Sequence, residues 1–436
     1  MIILSLSNIY KKTSSRVILL IISIIITFST FYITNNSYSF ESQNATDEDF
    51  NIIAVADVGC SIRAQENIKN IEKLDPELFL VSGDLSYKKT PDCWFNMTKS
   101  LDSKTKIAIG NHDDYEEEGT KGENFRKSLL NHYNLDKPYY SFDYKNVHVL
   151  VLDTQLELSV DTLESTAIIN DTTTDKQKKI NEKKDKKDKK NDQVNKKIEP
   201  LQERFPIVDL EDFLKQNSID IEIPKLDKLI ESNAKVPALE VDEEQYQFVL
   251  EDLKKTSQNK DIDWIFVMFH KPIYSSISKQ LEEYIIRDKY QNIFDKYNVD
   301  LVLQGHNHIY TRTFPLSLNP SNIAQPIVDK IGNNNNTTFT NPNGTIFLVV
   351  GTGGEEIHRI VEEPYYVANQ YNKGFGFVDL KIDGKRLNGV FYDINLNCKM
   401  EITEKKELEV IDPESCLPSS IGNNKLKVID HFTIIK

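Results

Sequence analysis

Short apolar runs that end in glycine and acidic or amide residues recur along this chain. Ile52-Ile53-Ala54-Val55-Ala56 leads into Asp57-Val58-Gly59, Leu78-Phe79-Leu80-Val81 into Gly83-Asp84-Leu85-Ser86-Tyr87, and Ile107-Ala108-Ile109 into Gly110-Asn111-His112-Asp113. Further on, Trp264 to Phe269 ends at His270, and Leu301-Val302-Leu303 leads to Gly305-His306-Asn307-His308. Runs this short, bounded by turn residues, predict buried strands. The polar residues after them then lie on loops at the C-terminal strand ends, where open α/β sheets build their sites.

Between the runs the period changes. Ile68, Ile71 and Leu74 recur at helical spacing and predict a helix over Ile62 to Leu74; Tyr246, Val249, Leu250 and Leu253 make a second stripe. Phe125 to Tyr133 and Leu281 to Tyr297 also read as helices, and Thr345 to Val350 as a strand running into Gly351-Thr352-Gly353-Gly354. Hairpins are expected at Lys145-Asn146, between Tyr139–Tyr144 and Val147–Leu152, and at Asp383-Gly384, between Gly374–Leu380 and Leu387–Asp393. Tyr310-Thr311-Arg312 reads as the start of a loop that continues through the Asn-rich stretch Asn333 to Asn336.

Other stretches have no core pattern. Lys11, Lys12 and Arg16 precede the apolar run Val17 to Ile33, which predicts a signal anchor or signal peptide over residues 1–34 and an extracytoplasmic location for the remainder of the chain. Ser37-Tyr38-Ser39 offers a cleavage site, while the length of the run favours an anchor that is retained, so both a membrane-anchored and a secreted protein stay open. Residues 35–49 read as a polar stalk, and residues 50–397 as the catalytic domain, interrupted by an insertion at about 156–243. Within it, Thr172 to Glu199 is rich in Lys, Asp and Asn with almost no apolar residues, the composition of a disordered segment. Residues 398–436 carry no assigned role.

A chain of 436 residues exceeds what one core usually serves, in keeping with an interrupted domain. The net charge of −14 argues against nucleic acid as a partner, because counterion release needs a basic face. Four cysteines suit export. Cys60 and Cys93 each lie just beyond a strand-end loop and Cys398 and Cys416 bracket a C-terminal segment, but other connectivities and free thiols remain open.

Taken singly the strand-end residues are weak signals: a Gly-Asp after a strand is more often a turn, and a lone His270 more often a satisfied core histidine. Taken together they form one donor set. Two metal ions about 3.5–4 Å apart can clamp the attacking and leaving oxygens of a phosphoryl transfer, and they need a shared anionic ligand, for which Asp84 is the candidate. Imidazoles suit iron, zinc and manganese, whereas a phenolate such as Tyr87 suits Fe(III). Outside these motifs, His148 reads as structural and His358 as a solvent-exposed surface residue.

In this order D-x-G, G-D-x-x-Y, G-N-H-D, V-x-x-H and G-H-x-H resemble the purple acid phosphatases within the calcineurin-like metallophosphoesterases, over roughly Phe50 to Gln155 and Glu244 to Asp393. The small tartrate-resistant type is most similar, since no sandwich-like domain precedes the first motif. The resemblance implies an α/β fold of four layers, α/β/β/α. It implies a dinuclear centre with Asp57, Asp84, Tyr87 and His308 on Fe(III), and Asp84, Asn111, His270 and His306 on a divalent Fe, Zn or Mn. It also implies hydrolysis of small phosphate monoesters by a metal-bound hydroxide, with His112 contacting phosphate and protonating the leaving oxygen. Gly59 stands where many wider relatives place a metal-binding His, and Tyr87 looks like its replacement. Asp113 departs from the family's usual Glu after that His, which bears on how His112 is oriented. Two alternatives are a phosphodiesterase or nucleotide hydrolase on the same centre, and a catalytically dead binding domain, against which the completeness of the ligand set speaks.

Overall fold

The apolar runs form the strands expected of them because both of their faces are covered. In β1 (Phe50–Val55), Ile52 and Ala54 face one hydrophobic cluster while Ile53 and Val55 face another, and β2 (Leu78–Val81) divides in the same way between Leu80 and Phe79. Alternate side chains of a strand point to opposite faces, so a strand buried on both sides reads as an unbroken apolar run.

The computed structural model describes residues 49–114, 122–154, 243–277, 281–329, 337–397 and 426–436, with short strands at 400–402, 408–410 and 417–418. All of these belong to one unit, Asp49–Lys436. The N-terminal apolar run, most of the stalk, the insertion, and Cys398 and Cys416 lie outside the described residues. No described helix is long and apolar enough to cross a membrane.

Two seven-stranded mixed sheets make the centre. The first holds β1, β2, β3 (Thr105–Ile107) and four later strands: β9 (Thr338–Thr340), β12 (Gly376–Asp383), β13 (Arg386–Asp393) and β14 (Lys427–Ile435), in the order β9-β14-β13-β12-β1-β2-β3. The second holds β4 (Tyr140–Tyr144), β5 (Val147–Val151), β6 (Trp264–Met268), β7 (Leu301–Gln304), β8 (Tyr310–Thr313), β10 (Ile346–Val350) and β11 (Val367–Tyr371), in the order β11-β8-β10-β7-β6-β5-β4. β1, β2 and β3 are parallel, as are β5, β6, β7 and β10. Their C-terminal ends carry the site loops.

One cluster joins the inner faces of the two sheets, with Ile52 and Leu80 from the first and Val149, Phe266, Leu303 and Leu348 from the second. Helices close the outside. Ile68 and Ile71 of α1 (Ile62–Leu74), Trp94 of α2 (Asp92–Met97) and Leu129 of α3 (Gly122–His132) cover the first sheet. Val249 and Leu253 of α4 (Glu243–Thr256), with Ile286 and Phe294 of α5 (Leu281–Lys296), pack with the second. The layering is the expected α/β/β/α.

Two stretches differ from expectation. Tyr310–Thr313 is a buried strand of the second sheet rather than the start of a loop, and the first sheet does not end with residue 397, because β14 slots between β9 and β13. One contact accounts for both. Asp430 on β14 accepts hydrogen bonds from Arg312 Nε at 2.6 Å, Arg312 Nη2 at 3.0 Å and the Tyr310 hydroxyl at 2.8 Å, an ion pair sealed between the sheets. Charged residues that enter a core in pairs break the apolar pattern by which strands are recognised.

Candidate metal centre

The side chains that meet at the strand ends leave sharply turned backbone. Asp57, Asp84, Tyr87 and His306 have φ of 56°, 57°, 52° and 66°. Non-glycine residues keep such values only where surrounding contacts fix them. Opposed loops approach so closely that a Cβ on Gly110 would lie 2.0 Å from Asp84 Oδ1. A disulfide between Cys60 and Cys93 ties the Asp57 loop to α2, which comes after the Tyr87 loop.

Acceptors outnumber hydrogens here. The Tyr87 hydroxyl oxygen lies 3.0 Å from Asp57 Oδ1, 2.9 Å from Asp84 Oδ2 and 2.9 Å from His308 Nε2, yet it has one proton to give. His308 Nδ1 donates to the Glu356 carbonyl at 2.6 Å, so Nε2 presents a lone pair when the ring is neutral. His270 repeats the arrangement: Nδ1 donates to the Ser82 carbonyl at 2.8 Å, while Nε2 faces Asn111 Oδ1 at 3.0 Å and Asp84 Oδ2 at 3.2 Å. His306 Nδ1 also lies 2.8 Å from Asn111 Oδ1. Carbonyl partners on the far nitrogen are how metal-binding histidines are oriented.

Electrostatics point the same way. Burial lowers the pKa of His270, but the Asp84 carboxylate more than offsets this and it stands at about 9. Burial, followed by the charges of Asp57 and Asp84, pushes the Tyr87 phenol well up. Burial and the neighbouring His270 bring His306 down to about 3, which leaves a neutral ring. Buried carboxylates this close to one another and to bare lone pairs call for positive charge between them. Among the described residues, Asp57, Asp84 and His270 are the one trio of His, Cys, Asp or Glu side chains whose ligand atoms all lie within 4.8 Å of one another.

The donor set therefore fits a pair of cations. Asp84 Oδ2 faces both Tyr87 and His270, the place of a shared ligand. Asp57 adds its second oxygen, Oδ2, as acceptor for the His306 backbone N–H at 2.8 Å.

His112 stands beside the donor set. Its backbone N–H donates to Asp84 Oδ1 at 2.8 Å and its ring lies 4.3 Å from that of Tyr87. The shorter Asp113 is accommodated because its carboxylate turns inward and accepts the backbone N–H groups of Asp84, Leu85 and Gly110 at 2.8–2.9 Å. It ties the Asp84 loop to the Asn111-His112 turn and so holds the backbone that presents His112.

Three further residues belong to the site without a motif to announce them. Glu356 supplies the carbonyl that orients His308. Glu355 fills the space above Gly59, where a Cβ would meet its Oε1 at 1.8 Å. The expectation that His358 is a solvent-exposed surface histidine is corrected: it is half-buried and stacks on His308 with ring centroids 4.1 Å apart. It lines a cleft of about 170 Å³ together with Asp84, Asn111, His112, His306 and His308. No apolar run leads to it. Its place comes from the chain's return past His308 after β10.

A layered α/β/β/α sandwich with such a cluster at its strand ends defines a class, and the chain belongs to the calcineurin-like phosphoesterase family, whose sequence model matches residues 50–223 and 175–310. Within that family the chain is similar to an acid phosphatase of Aspergillus ficuum, 32% identical over 117 residues that make up 26% of this chain and 18% of the relative. It is also similar to the Fe(3+)-Zn(2+) purple acid phosphatase 12 of Arabidopsis thaliana, 29% identical over 31% of this chain and 29% of that one. The match thus spans less than a third of these curated relatives. The purple acid phosphatase from yellow lupin (Lupinus luteus) seeds shares the fold, with a TM-score of 0.51 at 17% identity over 89% of this chain and 54% of the lupin chain.

Proposed function

We propose that the protein is a dimetal acid phosphatase of the purple type that hydrolyses small phosphate monoesters. In this reading Asp57, Asp84, Tyr87 and His308 hold Fe(III), and Asp84, Asn111, His270 and His306 hold a divalent Fe, Zn or Mn. The observation that carries it is Tyr87: its hydroxyl meets Asp57, Asp84 and His308 at 2.9–3.0 Å, while Gly59 supplies no ligand.

When bound, such an ion pair supplies the Lewis acidity that activates water on the acid side of neutral and offsets phosphoryl charge. The chain does the rest. Asp84 holds the two halves of the donor set at one spacing. Far-side carbonyls fix the tautomers of His270 and His308, so their lone pairs face inward without searching. His112, on the cleft wall and outside the donor set, is placed to hand a proton to the leaving oxygen. The cleft's small volume suits a phosphate carrying a modest group. A location outside the cytoplasm, anchored or secreted, is supported by the basic and apolar N-terminal pattern and by the Cys60–Cys93 disulfide.

The test is the colour of the iron-replete protein, read beside turnover of a monoester and a diester panel. Tyrosinate on Fe(III) absorbs visible light, so a violet to pink band is expected, with monoesters preferred. Tyr87→Phe should bleach the band while metal is retained. A colourless iron-replete protein, or a Phe variant that keeps the full band, would remove Tyr87 from the ligands and favour the generic phosphodiesterase reading.

A further inference from the structure

His358 is held in one orientation by His308 at two points. Its Nδ1 accepts the His308 backbone N–H at 3.1 Å, and its own backbone N–H donates to the His308 carbonyl at 3.1 Å. The rings lie nearly parallel, with 11° between their planes. A neutral imidazole whose Nδ1 accepts must carry its proton on Nε2. Among the described residues nothing takes that N–H, and the ring lines the same cleft as His112. His112 and His358 thus end a row of rings that runs through Tyr87 and His308, at centroid separations of 4.3, 5.9 and 4.1 Å.

An oriented donor with no protein partner, at the wall of a cleft built for an anion, has a chemical use. A phosphoryl oxygen is a charged acceptor, and a hydrogen bond to it is stronger than the one to water that it would replace. We propose that His358 is a substrate-binding residue whose Nε2–H donates to a non-bridging oxygen of the bound ester, and that it contributes to selection of monoesters. This rests on the phosphatase reading above. The selection comes from the number of oxygens: a monoester has three non-bridging oxygens and a diester two. Once two have gone to cations, only the monoester has one left for His358.

The test compares His358→Ala and His358→Gln in the holoenzyme, Gln retaining a side-chain N–H. For Ala, KM for a monoester should rise about tenfold, the usual loss for one hydrogen bond to a charged acceptor. Affinity for inorganic phosphate, titrated by calorimetry, should fall by a similar factor. The metal content and the visible band should hold, kcat should change little, and the monoester-to-diester ratio of kcat/KM should narrow; Gln should restore most of the phosphate affinity. Unchanged KM and phosphate affinity in a folded, metal-replete Ala variant would overturn the proposal. A lost metal equivalent or a moved band would overturn it too, by making His358 a prop for His308. Should the wild type turn over neither ester, the phosphatase reading fails instead, and the phosphate titration still decides His358.

Discussion

Removing the Asp430 carboxylate is expected to cost about 3–5 kcal/mol of folding stability. Arg312 is 1% exposed, and its guanidinium meets Asp430 through two nitrogens while Tyr310 donates to the same carboxylate. Asp430→Ala therefore leaves a buried cation without its counter-charge and a buried phenol without its acceptor. Losing one partner of a buried pair accounts for about 3–5 kcal/mol, and the orphaned hydroxyl for about 1–3 kcal/mol more. The two terms share one carboxylate and do not add in full, so the expectation is set at the lower range. Against a total of about 5–15 kcal/mol for a typical domain this is a large fraction. Urea denaturation of wild type and variant in one buffer measures it, as a lower midpoint at unchanged slope. Adding Arg312→Met to Asp430→Ala should recover part of the loss, because the uncompensated charge goes with it. A single-variant loss below about 1 kcal/mol would show that the two sheets are not joined through this pair.

Two further outcomes are expected. His112→Ala should slow hydrolysis by about 10²–10⁴-fold with both metals retained, checked by turnover and metal analysis, and loss of a metal equivalent would make His112 a ligand. His148 bonds Asp143 at 2.6 Å and Asp252 at 2.8 Å through its two ring nitrogens; burial lowers its pKa, but the bonds to Asp252 and Asp143 outweigh burial and raise it. The folded state then binds the proton more tightly than the unfolded one. The stability this gives is complete below about pH 6.5 and is lost as pH rises through the raised folded value, so His148→Gln should flatten urea midpoints measured from pH 6 to 9. An unchanged pH slope in that variant would refute it.

Much of the centre was legible in the chain because each donor directly succeeds an apolar run, and strand ends of parallel sheets converge. The resemblance to the purple acid phosphatases then singled out Asp57, Asp84, Tyr87, Asn111, His270, His306 and His308 from those loops, and the structure brings their side chains together. The bounds of α1 also agree with the sequence reading, since Ser61 caps its start by accepting the Ala64 N–H and Asp75 turns left-handed at its end. What escaped was set by pairs distant in sequence. Arg312 and Asp430 each spoil the apolar pattern of their strands, and each is buried only because of the other. His358 has no local pattern at all; its role comes from stacking on a residue fifty positions earlier. The Cys60–Cys93 link, by contrast, is the pairing that their places beyond neighbouring strand-end loops suggested, among others left open.

The donors are split along the chain, and that bears on how metal is acquired. Asp57, Asp84, Tyr87 and Asn111 all precede residues 155–242, whereas His270, His306 and His308 come after them. A growing chain delivers its N-terminal part first. Synthesis therefore presents the oxygen donors long before any ligand imidazole of the set exists. The seven residues stand together only once β6 and β7 have joined β5 and the two sheets have packed on each other. Under the proposed function, a complete site for metal then exists only after both halves of the chain have folded together. Its ions would then come from the supply at the place where folding finishes, not where translation begins.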